Sequence, residues 1–254
     1  MLRYFIYVQY NGTDYHGWQI QPNAVTIQEV FQKALATFFQ KEVDLVAAGR
    51  TDSGVHATEM VAHFDFDHPL DAKDVLFHLN HLLPKDISIY DIKEVKPEFH
   101  ARFDARSRTY NYFLSSQKSP FKQDQYYYFH RPLDISKMNQ AAKTLMGEHD
   151  FSCFSKSKTQ TFTNLCTITE ARWREQMEES WVFEISANRF LRNMVRSIVG
   201  TLIEVGEGKR SVESMTELIA SKDRKNAGVS VPASGLFLTK IDYPSEGFIS
   251  SAQP

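Results

Sequence analysis

Thr26-Ile27-Gln28-Glu29-Val30-Phe31-Gln32-Lys33-Ala34-Leu35-Ala36-Thr37-Phe38-Phe39 is the stretch on which the fold turns. Thr26 followed three residues later by Glu29 forms a capping box, in which each side chain reaches a backbone N–H that the first helical turn leaves without a partner. Ile27, Phe31, Leu35 and Phe38 then recur on one face, so the spacing predicts an amphipathic helix ending near Phe39. Such a helix needs an apolar sheet beneath it. Residues 2–10 upstream read as a strand. Downstream, residues 43–48 and 58–67 are short apolar or alternating runs joined by a glycine-containing turn. Asp71 caps a second helix that must stop before Pro84, and residues 87–95 supply one more strand. Strand, helix, strand, strand, helix, strand is the order of a ferredoxin-like unit.

The second half repeats this order loosely. Strands are expected near 107–115, 163–175, 181–187 and 235–242, with helices from Asp134 to Gly147 and from about 189 to 205. A further helix is expected over about 212–221. The expected fold class is therefore α+β: two ferredoxin-like (RRM-like) βαββαβ units joined into one mixed, largely antiparallel sheet, with helices on one face and a central catalytic cleft. The expected division is an N-terminal unit over 1–103 carrying the aspartate loop described below and a C-terminal unit over 104–254, with no low-complexity linker between them.

Composition narrows the function classes. Of 254 residues, 42% are hydrophobic and 13% aromatic, enough to fill one large core or two smaller ones and too many for a disordered chain. No apolar run is long enough to cross a bilayer, and Leu2–Tyr7 alternates like a strand instead of resembling a signal peptide, so a cytoplasmic protein without membrane association is expected. Two cysteines, Cys153 and Cys166, are too few for a disulfide framework or a thiolate zinc site. A formal charge of −2 argues against a uniformly basic nucleic-acid surface. The charge is unevenly spread, however: Arg102, Arg106, Arg108, Lys118 and Lys122 crowd one stretch and Arg189, Arg192 and Arg196 another, leaving room for a local basic groove.

The segment with the most chemical content is Ala48-Gly49-Arg50-Thr51-Asp52-Ser53-Gly54-Val55-His56-Ala57. Glycines on both sides of an Arg/Asp pair allow a tight turn and close approach by a bulky ligand, which presents the carboxylate at a sheet edge. The same residues also fit an ordinary hairpin whose Asp caps its own backbone. His63, Asp65 and Asp67 alternate along one strand face in a superficially metal-like way, but no partner cluster completes a site, and a solvated polar face is the expectation. His56 is read as a loop-stabilising residue. Trp18 either packs against the sheet or touches a ligand.

Gly49-Arg50-Thr51-Asp52-Ser53-Gly54-Val55-His56 resembles the catalytic loop of the tRNA pseudouridine synthase A family, with Ser53 where alanine is usual. Further resemblances follow in order along the chain: Tyr10-Asn11-Gly12 with Gly17-Trp18-Gln19, Phe99-His100-Ala101-Arg102-Phe103 leading to Arg108-Thr109-Tyr110, Phe190 to Arg196, and Ala227-Gly228 to Leu236. The tail after Tyr243 lies outside the resemblance. It implies an isomerase that turns uridine into pseudouridine at positions 38, 39 and 40 of the tRNA anticodon stem-loop, acting as a homodimer with no cofactor and no metal. By the same resemblance Asp52 is the nucleophile, Tyr110 stacks on the target base, and Arg50 and Arg196 are electrostatic partners. Arg189, Arg192 and Arg196 are expected to share a stripe of one helix, and Arg102, Arg106, Arg108, Arg189 and Arg192 are candidate RNA contacts. Two other readings of the same residues are a non-catalytic RNA-binding module, which leaves the acidic residue in the turn unexplained, and a hydrolase, which lacks a second acid to act with Asp52.

Overall fold

The computed structural model describes residues 1–156 and 162–249. Among them are ten strands and five α-helices, an α+β fold that divides into two compact units. One comprises Met1–Arg106 with the closing segment from Leu238 onward, and the other comprises Ser107–Phe237.

In the first unit β1 (Leu2–Tyr10) lies at the centre. It pairs antiparallel with both β3 (His56–Phe66) and β4 (Ile87–Val95), so that Ile6 sits opposite Ala62 on one side and Ile92 on the other. The strand order is β4-β1-β3-β10, with β10 spanning Leu236–Asp242. Helix α1 (Ile27–Phe39) opens as expected, Thr26 Oγ1 accepting from Glu29 N at 3.4 Å. The reciprocal half of the box is absent, because the Glu29 carboxylate pairs with Lys33. Phe39 lies against Phe64 and Phe66, and Tyr4 stacks on Phe64, which defines the face that α1 covers. Helix α2 (Ala72–Leu82) is capped by Asp71, and Asn80 ties it to β4 by bonding both the N–H and the carbonyl of Ile89.

One expected strand shrinks. β2 is only Val46–Ala47, since the carbonyls of Val43 and Leu45 accept from the side chains of Gln32 and Gln28 on α1. The other face of this sheet also differs from expectation. His63 is 4% exposed, stacked on Phe5, and its Nδ1 accepts the N–H of Ala101. Asp65 and Asp67 are engaged by Arg3 and Lys41. The tail after Tyr243 helps cover this face: Phe248 packs edge-on against Phe5, Phe99 and Tyr243, and Ile249 N–H donates to Glu94.

The second unit is built on β5 (Ser107–Ser115), β9 (Ser180–Ala187), β8 (Leu165–Met177) and β7 (Gly147–Asp150) in that order, all antiparallel, with β6 (Tyr127–Tyr128) parallel on β5. Helix α3 (Ile135–Lys143) is capped by Asp134 and stops before Gly147, where the chain turns extended as β7. Asn139 bonds the N–H and carbonyl of Trp173 on β8. Helix α4 spans Met194–Gly206 and not 189–205. Asn193 is left-handed at φ 65°, and the carbonyls of Asn188 and Arg192 serve Arg108 and Lys156 instead of a helical ladder. Arg189 and Arg192 therefore precede the helix, and the expected three-arginine stripe does not form. Helix α5 (Ser214–Ser221) completes the unit.

The segment after Ala227 crosses α4 at backbone contact: a Cβ on Gly200 would meet the carbonyl of Val229. Alanine is favoured over glycine by about 1 kcal/mol in a helix, but overpacking costs about 1–3 kcal/mol. Gly200→Ala should therefore lower the melting temperature, measurable by calorimetry. A second expectation concerns pH. Burial, with Arg3 and His100 nearby, lowers the pKa of His63 from 6.5 to about 4. The unfolded chain thus takes up this proton first, so stability from His63 is full above pH 6.5 and is lost as pH falls toward 4. Melting temperature between pH 7 and 4 should fall less steeply in His63→Gln than in the native chain.

Candidate active site

The loop from Gly49 to Val55 leaves β2 and enters β3, and its shape is set by a second loop, residues 11–18, laid on it. Gly12 and Gly17 are the contact points. A Cβ on Gly12 would meet the Val55 carbonyl, and one on Gly17, which is also left-handed at φ 84°, would meet the Thr51 carbonyl. Four bonds close the joint: Trp18 N–H to Thr51 O at 3.2 Å, Gly54 N–H to Tyr15 O at 3.2 Å, Ser53 Oγ to Tyr15 O at 3.3 Å, and Gly12 N–H to His56 Nδ1 at 3.0 Å. Inside it, the hydroxyls of Tyr10 and Thr51 are 2.8 Å apart and buried. Tyr15 donates to Asp86 at 2.9 Å, and burial together with that carboxylate raises its pKa. Asp86 also accepts, through its carbonyl, from Asn11 N–H.

Asp52 sits half-buried at the centre of this joint, its carbonyl accepting from Val55 N–H across the turn. Arg50 is exposed. The loop-stabilising part expected of His56 is met by its bond to Gly12. Trp18, 2% exposed and 5.9 Å from the Tyr10 ring, packs inward. Nothing in the sequence marks the Tyr10–Thr51 and Tyr15–Asp86 pairs, because their partners lie 41 and 71 residues apart. Elsewhere in this unit Arg102 is exposed, its guanidinium 5.7 Å from the Phe103 ring, and Arg106 pairs with Glu246 at 3.1 Å.

The second unit holds the remaining candidates. Tyr110 is half-buried on β5, opposite Ile185, with its ring edge-on to Phe190 at 5.2 Å. Arg108 donates to the Asn188 carbonyl at 2.8 Å. On α4, Arg196 Nε donates to the Val231 carbonyl at 2.7 Å while Val231 N–H returns a bond to the Arg196 carbonyl. Nearby, Tyr112 donates to the Pro232 carbonyl, and burial raises its pKa far above normal against the lowering influence of Arg196. Arg189 is half-buried and Arg192 exposed. Among the described residues no group of three or more His, Cys, Asp or Glu could hold a metal ion, and no helix is long and apolar enough to cross a membrane.

A family profile described as tRNA pseudouridine synthase matches residues 6–104 and 141–244. A tRNA pseudouridine synthase A from Bacteroides fragilis is 54% identical over 247 residues, covering 97% of this chain and 98% of the relative. That of Bacteroides thetaiotaomicron is 52% identical over 250 residues, covering 98% and 93%, and that of Porphyromonas gingivalis 51% identical over 252 residues, covering 98% and 100%. A solved Cbf5-Nop10-Gar1 complex aligns over 92% of this chain and 57% of that one at 10% identity with a TM-score of 0.36, a likeness that carries no argument. The chain belongs to the tRNA pseudouridine synthase family. Its class is that of an isomerase acting on tRNA.

The buried hydroxyl pair gives a test of the joint. Tyr10→Phe removes the partner 2.8 Å from Thr51 Oγ1, next to Asp52 in the chain, and a misplacement of about 1 Å can cost 10²-fold in rate. The expected outcome is a fall in kcat of about ten- to a hundredfold with tRNA affinity little changed, read from single-turnover conversion and filter binding.

Proposed function

We propose that the protein isomerises uridine to pseudouridine at positions 38, 39 and 40 of the tRNA anticodon stem-loop, with Asp52 as the nucleophile. Pseudouridine formation in tRNA follows from family membership. The position of Asp52, half-buried on a loop whose backbone is fixed by a second loop at two glycine contacts and four hydrogen bonds, carries the nucleophile assignment. A nucleophile has to be held near its productive geometry, and a loop pinned in this way loses little entropy when substrate arrives.

Substrate and product contain the same atoms. The N1–C1′ glycosidic bond breaks, a C5–C1′ bond forms, C5 gives up a proton and N1 acquires one, so there is no net oxidation and no group leaves. A carboxylate starts the exchange by attacking the anomeric carbon, by adding to the uracil ring, or by assisting elimination to a glycal. Tyr110 stacks on the base while it is detached and turned. Arg50 and Arg196 supply positive charge to the reaction, and Arg50 fills the space left in the stem when the uridine is flipped out, a step that costs a few kcal/mol. Arg102, Arg106, Arg108, Arg189 and Arg192 meet the phosphates; of these Arg106 must exchange its exposed partner Glu246 for RNA. In functional terms the unit begun by Met1–Arg106 carries the nucleophile and the unit Ser107–Phe237 carries the stacking tyrosine. The protein works in the cytoplasm as a homodimer.

The test is site-resolved mapping of pseudouridine in an unmodified tRNA transcript treated with native protein or Asp52→Asn, with size-exclusion and light scattering on the same samples. Native protein should convert uridines only in the anticodon arm. The variant should bind tRNA and lose at least roughly a thousandfold in rate. Conversion outside that arm would overturn the positional assignment, and near-native activity in the variant would remove Asp52 from its role.

A further inference from the structure

The turn from His100 to Asp104 in the first unit is held more tightly than a surface turn needs to be. His100 N–H donates to Asp104 Oδ2 at 2.7 Å, and Asp104 N–H returns a bond to the His100 carbonyl. His63 Nδ1 accepts from Ala101 N–H, and His100 Nδ1 accepts from the N–H groups of both Arg102 and Phe103. The Ala101 carbonyl accepts from the Tyr243 hydroxyl at 2.6 Å, and just upstream the Phe99 carbonyl accepts from Arg3. The two imidazoles lie edge to face with ring centres 4.6 Å apart. What this framework displays is a phenyl ring: Phe103 is 76% exposed, with the His100 ring 4.3 Å away on one side and the exposed Arg102 guanidinium 5.7 Å from its centre.

We propose that the His100–Asp104 turn is a tRNA-contact element, in which Phe103 stacks on an unpaired base and Arg102 meets the adjoining phosphate. This deepens the reading that the substrate is tRNA and rests on it. A ring exposed to this degree stays largely solvated in the free protein, so the fold gains little apolar burial from its placement. Fixing the turn in advance removes most of the ordering cost that binding would otherwise carry. The chemistry fits a nucleotide better than a protein surface. One ring flanked by Arg102, His100 and Asp104 is far smaller than the apolar centre of a stable protein interface, whereas every base offers a face for stacking and every nucleotide a phosphate for an arginine.

The experiment measures binding of a fluorescein-labelled tRNA to the full chain by anisotropy at fixed salt, using native protein, Phe103→Ala, Phe103→Leu and Phe103→Trp, with melting temperatures as a folding control. Phe103→Ala and Phe103→Leu should keep native melting temperatures and raise Kd roughly 5- to 100-fold, the leucine failing because apolar volume without a π face does not stack. Phe103→Trp should bind like the native chain. An unchanged Kd in Phe103→Ala overturns the proposal. So does an unchanged Kd accompanied by altered self-association, which would give the surface to a second copy of this chain. Uridine conversion by the native sample separates the two levels. If native protein converts no uridine, the proposed function fails; if it converts uridine and Phe103→Ala binds normally, only the contact element fails.

Discussion

The aspartate loop depends on one contact, the seating of residues 11–18 on residues 51–56 with no side chain between the two backbones at Gly12 and Gly17. Two strand-end loops pressed together this closely must satisfy each other's polar groups, since water has no room to do so. They do so through Trp18 N–H, Gly54 N–H, Gly12 N–H and the Tyr10–Thr51 hydroxyl pair. A side chain at either glycine would meet the opposite backbone, so these bonds depend on both glycines. The aspartate's position is thereby coupled to the central strand β1, whose last residue is Tyr10. Tyr10 thus ties the central strand to the aspartate loop through its hydroxyl.

Much of this was legible in the sequence, and what was not has a common physical cause. Helices α1 and α2 and strands β1, β4 and β5 carry local signals, namely Thr26 and Asp71 as caps and period-two alternation, and the structure follows them nearly to the residue. The misreadings arise where a distant residue takes over a backbone group. Gln28 and Gln32 claim the carbonyls that would have made residues 43–45 a strand. Arg108 and Lys156 claim those that would have extended α4 back to 189. His63 looked like part of a solvated face because nothing local shows that Ala101 and the tail after Tyr243 lie over it. The aspartate was legible only through its glycine-flanked motif. The hydroxyl pair and the tyrosine–aspartate pair that fix its surroundings were not, because such partners are set by topology.

The two units solve the same packing problem in the same way. In each, an asparagine on a helix bonds both the N–H and the carbonyl of one strand residue: Asn80 with Ile89 and Asn139 with Trp173. An amide is the side chain suited to this, since it offers a donor and an acceptor at the spacing of a peptide group and so imitates one more strand. Apolar contact alone would leave the helix free to slide, because hydrophobic attraction has little directionality. The double bond fixes the register of each helix on its strand, α2 on β4 and α3 on β8.

Several buried polar groups in this protein are matched to backbone partners. His56, His63 and Thr201 each meet a specific backbone group, so their burial costs little and their partners account for them. Arg50 and Phe103 are the reverse case, an exposed guanidinium at the head of the aspartate loop and an exposed ring on a fully bonded turn. Neither is buried by the fold. On the proposed reading, a chain that fixes the backbone beneath such groups while leaving the groups themselves in water is ordered for a ligand that arrives later, and a polyanion carrying aromatic bases has complementary features for both.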